Sequence, residues 1–159
     1  MTQNSEFSPV PGVDLSQVMV GTWLVEDQWK TDNYEIPQTT WAIRATDSSG
    51  RTVVIAQPAG VKDFLLIQGD VALDEATKER IRQINGAELD SMLWNLRREL
   101  ISNDVEFRIA GEPLALVQVS QRIFFGRGHE LNKDVFFQRV SRVRRGILLV
   151  RWLIERWAP

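Results

Sequence analysis

A single histidine, His129, and the absence of cysteine narrow the chemistry this chain can perform. Thiol catalysis, disulfides and thiolate metal sites all need cysteine, and ordinary metal spacings need several converging His or Cys ligands. One histidine at the end of Gly126-Arg127-Gly128-His129 supplies neither, so no metal ligand and no catalytic residue is assigned. A histidine-dependent serine triad would have to use His129, and no nucleophile-elbow pattern accompanies it. The same run resembles a phosphate-gripping turn, yet it lacks the lysine and hydroxyl residue of a P-loop and the third glycine of a dinucleotide motif. It reads as a strand-to-helix turn that needs glycine dihedrals. The carboxylate pairs Glu26 with Asp27 and Asp70 with Asp74 fall at helix ends and turns. Sequence neighbours on a helix point in different directions, so no shared acid–base site follows. The expectation is a non-enzymatic protein without a cofactor.

The remaining chemistry is charge. Arg139, Arg142, Arg144, Arg145, Arg151 and Arg156 crowd the last stretch of the chain, with Lys133 upstream. Such a row can contact phosphates, or it can be a solvated face whose cations suit a helix C-terminus. Arg142, Arg145 and Arg156 are the candidate anion contacts, whereas Arg139 is expected to lay its stem along apolar surface. No aromatic platform or nucleic-acid motif accompanies them in the strands. Nucleic-acid or anion binding through this helix is therefore the alternative reading, not the leading one. The overall charge of −2 also hides a split. Residues 1–50 hold two basic and seven acidic side chains, and residues 120–159 hold nine basic and three acidic. That pattern predicts an intramolecular match of the two ends, or plain solvation.

The element that must carry the arginines is one long helix. Phe136, Val140, Val143, Ile147, Val150, Ile154 and Trp157 recur at steps of four and three, which keeps one helical face apolar. On the opposite side Arg142, Arg145, Leu149, Trp152 and Arg156 follow the same spacing. A helix apolar on two sides touches two different things. Leu149 and Trp152, together with Trp23, are therefore the candidate partner or homodimer interface, unless the N-terminal helix folds over the same place. Of the six tryptophans, Trp41 and Trp157 read as core. Trp23, Trp29, Trp94 and Trp152 also read first as core, although tryptophan is favoured at interfaces.

Residues 1–12 hold two prolines and no periodicity and read as a loose tail, with a single domain over 13–159. Asp14 or Ser16 caps a helix expected to reach about Lys30, with Leu15, Val18, Thr22, Val25 and Trp29 on one face. Thr31 to Gln38 reads as a loop. Thr39–Ala45, Thr52–Gln57 and Phe64–Val71 read as an antiparallel meander, since parallel pairing needs longer crossovers. Asp74 caps a helical region to about Ser102 whose apolar phase slips at Asn85-Gly86, predicting a break there. Beyond the break Leu89, Met92, Leu93, Leu96 and Leu100 turn inward. Val105 to Ile109 and Leu114 to Phe125 form two more strands, and Asn132 caps the closing helix. The expected fold is α+β: one five-stranded antiparallel sheet with helices mainly on one face, in the order α-β-β-β-α-β-β-α.

No stretch approaches the roughly 20 apolar residues of a membrane span. The first twelve residues lack the basic start and apolar run of a secretion signal, so a cytoplasmic protein without membrane contact is expected. Over residues 14–157 the element order resembles that of the type III secretion chaperone-like superfamily, including its YbjN-like bacterial branch. The likeness is topological. It is carried by the capped helix with Trp23-Leu24-Val25, the meander from Trp41 to Val71, the Leu89–Leu100 helix, the pair from Val105 to Phe125 and the closing helix. The resemblance implies a protein-binding, chaperone-like or regulatory module, often homodimeric, without catalysis or cofactor. Secretion chaperones tend to be shorter and uniformly acidic, so the long basic closing helix points to the YbjN-like branch.

Overall fold

Two-residue alternation makes Phe64–Ala72 and Leu116–Phe124 interior strands. Leu65, Ile67, Gly69 and Val71 are buried on the first, and Val117, Val119, Gln121 and Ile123 on the second. The two pair antiparallel over nine residues, from Phe64 opposite Phe124 to Ala72 opposite Leu116. The computed structural model describes residues 14–126 and 128–159, so the tail expected over 1–12 and the side chain of Arg127 lie outside the described residues. The elements are α1 (Leu15–Glu26), β1 (Lys30–Asn33), β2 (Thr39–Thr46), β3 (Thr52–Pro58), β4 (Phe64–Ala72), α2 (Glu75–Arg82), α3 (Gly86–Ser102), β5 (Glu106–Ala110), β6 (Leu116–Phe124) and α4 (Lys133–Trp157). One antiparallel sheet runs in the order β1-β2-β3-β4-β6-β5. α1 packs on β1 and β2, α4 lies across β3, β4 and β6, and α3 packs on α4 and β5.

The sheet has six strands, not the five expected, and the order is α-β-β-β-β-α-α-β-β-α. The extra strand, β1, comes from the segment read as a loop. Its residues Lys30, Thr31, Asp32 and Asn33 show no apolar alternation because it is a sheet edge facing water, where polar side chains discourage further pairing. It is held by backbone pairing to β2 and by Asp32, which pairs with Arg44 at 3.3 Å. The chain reaches this edge because α1 stops at Glu26 rather than near Lys30. Gln28 takes a left-handed φ of 62°, its N–H bonds to the Val25 carbonyl, and the Trp29 N–H reaches back to Leu24. This is a Schellman-type stop with Leu24 and Trp29 both buried beside it.

The buried face of α1 is also not the expected one. Ser16, Val20 and Leu24 point inward, while Leu15, Val18 and Val25 are exposed. Apolar residues surround this helix, so periodicity alone does not choose a side; Ile43 on β2 does, lying 3.9 Å from a Cβ built on Gly21. The break at Asn85-Gly86 is present as expected. The Asn85 side chain accepts the Glu88 N–H at 2.9 Å while its own amide donates to Glu88 at 3.1 Å, a reciprocal cap that starts α3 afresh. Met92, Leu96 and Leu100 are buried as expected, with Leu89 and Leu93 half-buried. The α4 stripe from Phe136 to Ile154 is buried throughout, with Trp157 packed at its end.

The opposite charges of the two ends meet within the fold. Lys133 at the start of α4 binds Glu26 at the end of α1 at 2.6 Å. Arg144 pairs with Asp47, whose side chain is only 8% exposed, and lies over the Trp29 ring at 5.3 Å. Burial pushes the Asp47 carboxyl up, but bonds from the Ser49 hydroxyl and the Arg51 and Ser49 backbone, with the Arg144 charge, outweigh it and hold it below the usual aspartate value. A carboxylate depressed in the folded state stabilises above its unfolded pKa and loses that contribution as pH falls through the folded value. Asp47→Asn is therefore expected to cost stability at neutral pH. The gap from wild type should stay flat above about pH 5 and close as pH drops below it, measured by urea unfolding across the range. A gap independent of pH would assign the cost to shape rather than charge.

Candidate functional site

The surface side of α4 is divided by what packs beside it. α3 runs antiparallel to α4: Asp104, just past the α3 C-terminus, pairs with Arg142, while Met92 and Trp94 near its start share a groove with Arg156 and Trp157. Leu149 is consequently half-buried against the core rather than exposed. α3 packs on α4, so part of this side of the helix is covered from within the chain.

Trp152 is 61% exposed, and Trp94 on α3 is 70% exposed, so the core reading fails for both. Trp29 is buried, and Trp23 is half-buried with its ring 5.8 Å from that of Phe136. Trp23 therefore packs against the first turn of α4, about 24 Å along the helix from Trp152 at 1.5 Å per residue. The candidate interface residues do not form one patch.

The arginines separate in the same way. Arg142 and Arg145 line an open depression with Asp134, Phe137, Gln138 and Ser141. Arg156 lines a different groove of about 750 Å³ with Ser91, Met92, Trp94, Asn95, Arg98 and Trp157. Within it, Arg98 is held by Asn95 at 2.7 Å. Arg139 donates to Gln121 at 2.9 Å, and Arg142, Arg144 and Lys133 are each engaged by a carboxylate. Among the described residues Arg145 and Arg156 form no ion pair. Arg151 likewise forms none there and Arg139 meets only a neutral amide, so carboxylates engage three of the seven basic side chains of α4, and Arg145 and Arg156 line separate depressions.

Exposed ion pairs contribute little to stability. Replacing Arg142 and Arg145 together by glutamate is expected to shift unfolding by no more than about 1 kcal/mol, even though the first substitution sets a second carboxylate opposite Asp104. A urea midpoint that collapses would make these arginines structural.

The groove with Trp94, Trp157, Arg98 and Arg156 was reachable from sequence only in part. Arg156 stands out in the basic row, but Trp94 and Arg98 lie about sixty residues earlier and no local pattern ties them to it. His129 sits in the β6–α4 turn, where Gly126 and Gly128 take φ of 94° and 90° and Gly126 pairs with His129, as the glycine-turn reading requires. No group of three or more His, Cys, Asp or Glu that could hold a metal occurs among the described residues. No helix among them is long and apolar enough to cross a membrane.

A family described as "Uncharacterized conserved protein (DUF2299)" matches residues 17–154. The crystal structure of an uncharacterized protein from Methanothermobacter thermautotrophicus superposes with a TM-score of 0.83 at 25% identity, over 91% of this chain and all of that one. The E. coli protein YbjN, proposed as a transcription regulator, aligns over 92% of this chain and 93% of its own with 13% identity and a TM-score of 0.45. At that level YbjN bears on neither function nor mechanism. No curated protein matches the chain.

Proposed function

The chain belongs to this family of uncharacterized conserved proteins, and on that premise we propose that it is a non-enzymatic, cytoplasmic binding module that holds a segment of a protein partner. The observation that carries the reading is the α3–α4 groove, where Trp94 stands 70% exposed beside Arg98, Arg156 and Trp157. Exposed tryptophan next to arginine is the composition of interface hot spots. Two guanidinium groups at the rim favour a partner segment with acidic side chains around an apolar anchor. Trp152, one turn before Arg156, extends this surface. A chaperone-like or regulatory role belongs to the same proposal and rests on element order. A twofold homodimer through Trp152 is its self-association form.

Mass spectrometry of what co-purifies with the native chain names the partner, and titration of that partner tests the site. Trp94→Ala should weaken binding about thirtyfold, the size of a hot-spot loss, with little dependence on salt, whereas Arg156→Glu should weaken it less and lower its modest salt dependence. Unchanged affinity in both variants would remove the groove from the interface. Steep loss of binding with salt, with nucleic acid as the recovered partner, would replace the proposal by the charge-driven alternative. If the partner is a second copy, Trp152→Ala should give a folded monomer by sedimentation; a wild type already monomeric at high concentration removes the dimer.

A further inference from the structure

The ladder between β3 and β4 stops early. The two strands pair only from Ala56 opposite Leu66 to Val54 opposite Gln68. The same register would next set Val53 against Gly69 and Thr52 against Asp70. Those residues pair instead only with the strands on their other sides, Val53 and Thr52 with β2 and Gly69 and Asp70 with β6. The sheet therefore opens at this end, and a cavity of about 130 Å³ sits in the gap. Thr52 and Asp70 line it from the two strands, Arg51 from the turn before β3, and Arg144, Ile147 and Arg151 from α4.

Three of these side chains are guanidinium groups, and they come from the same side. Arg144 and Arg151 share one face of α4 with Ile147, at helical steps of three and four. Arg51 has the parity of Val53 and Ile55, which are buried on the helix-covered face, so it approaches α4 from the sheet. Gly69 faces Ile147, so strand alternation turns the neighbouring Asp70 carboxylate toward the opposite face. Arg51 and Arg151 form no ion pair among the described residues. Arg144 is held in place by Asp47 and the Trp29 ring, yet its Nε is buried without a hydrogen-bond partner. The carboxylate thus fixes this guanidinium without using all its donors. Like charges gathered around a small enclosure repel one another unless an anion lies between them.

We propose that this gap is a site for a small free oxyanion of the phosphate class, which accepts hydrogen bonds from Arg51, Arg144 and Arg151. Guanidinium donors match the oxygens of such an ion in charge and geometry. With Arg144 balanced by Asp47, Arg51 and Arg151 leave two positive charges on the helix-covered side, which suits hydrogen phosphate. The cavity is far smaller than the roughly 300–1,000 Å³ of sites that enclose larger organic ligands, so the ion enters without an organic body attached. The site shares no residue with the proposed partner groove of Trp94 and Arg156 and does not depend on it.

Inorganic phosphate is the probe, with sodium chloride at equal ionic strength as the control for screening. In the ¹⁵N-labelled full chain at neutral pH, phosphate should shift the backbone amide resonances of Thr52 and Asp70 saturably, and chloride should not. Arg151→Gln changes an exposed side chain without an ion pair, so the fold is expected to hold. It should weaken phosphate at least about tenfold, the size of a lost charge-assisted hydrogen bond, and Arg51→Gln should do the same. Phenyl phosphate should bind at least about tenfold more weakly than phosphate, because its ring has no room. Resonances that stay still, a chloride response equal to that of phosphate, or full affinity in both arginine variants would each overturn the proposal. So would phenyl phosphate binding as tightly as phosphate, which would make the ligand a phosphate group carried on a larger molecule.

Discussion

Replacing Phe136 by alanine is expected to cost about 3–5 kcal/mol, the range for removing a fully buried aromatic side chain. Phe136 is completely buried in the first turn of α4. Its ring meets Phe137 edge-on at 5.1 Å and Trp23 at 5.8 Å, so the loss includes two aromatic contacts as well as a cavity. The position joins α1 to α4 next to the Glu26–Lys133 pair, which alone is too exposed to hold the two helices together. Urea unfolding followed by far-UV circular dichroism measures the effect as a drop in midpoint at constant slope. Phe137→Ala, at a half-buried neighbour, should cost clearly less. A Phe136→Ala loss under about 1 kcal/mol would mean that α1 carries little of the fold's stability.

What is legible in the residues, and what is not, follows from where each signal is written. The α4 stripe is local: seven apolar positions at helical spacing declare one buried face, and six of them are buried. The Asn85-Gly86 break is local as well, because a phase slip and its capping residues sit together. The sides of α1 cannot be read, since Leu15, Val18, Val20, Leu24 and Val25 surround the helix and only the facing sheet selects among them. β1 escapes a reading by pattern because a water-facing edge strand needs no apolar alternation and is defined by the strand it joins. The candidate groove is half-visible. Arg156 and Trp157 belong to one helix, but their neighbours Trp94 and Arg98 arrive through the antiparallel packing of α3. Arg51 carries no signal of its own; the opening between β3 and β4 sets it beside Arg144 and Arg151.

Gly69 and Gly146 mark how closely α4 approaches the sheet, and the second large effect is expected there. A Cβ built on Gly69 of β4 would lie 2.1 Å from Ile147 Cδ1, 3.1 Å from its Cγ1 and 3.4 Å from Val143 Cγ1. One built on Gly146 of α4 would lie 2.7 Å from Val119 Cγ1 on β6. Glycine inside a strand weakens it unless another backbone or side chain needs the space, and here Ile147 takes it. Gly69→Ala is expected to cost roughly 1–3 kcal/mol, the usual penalty for overpacking a well-filled core. Cδ1 is the mobile end of the isoleucine, so part of the clash is relieved by rotation, but Cγ1 and Val143 still crowd the new methyl. Ile147→Ala alone is expected to cost about 2–5 kcal/mol as a large-to-small core change. The two together should cost less than their sum, because the new methyl fills part of the space the isoleucine vacates, with a coupling of about 0.5–3 kcal/mol. Equilibrium unfolding of the four proteins in this cycle measures that coupling. Strict additivity would show that α4 shifts away from β4 instead of holding its place, and the close contact would then not be what sets the position of the helix.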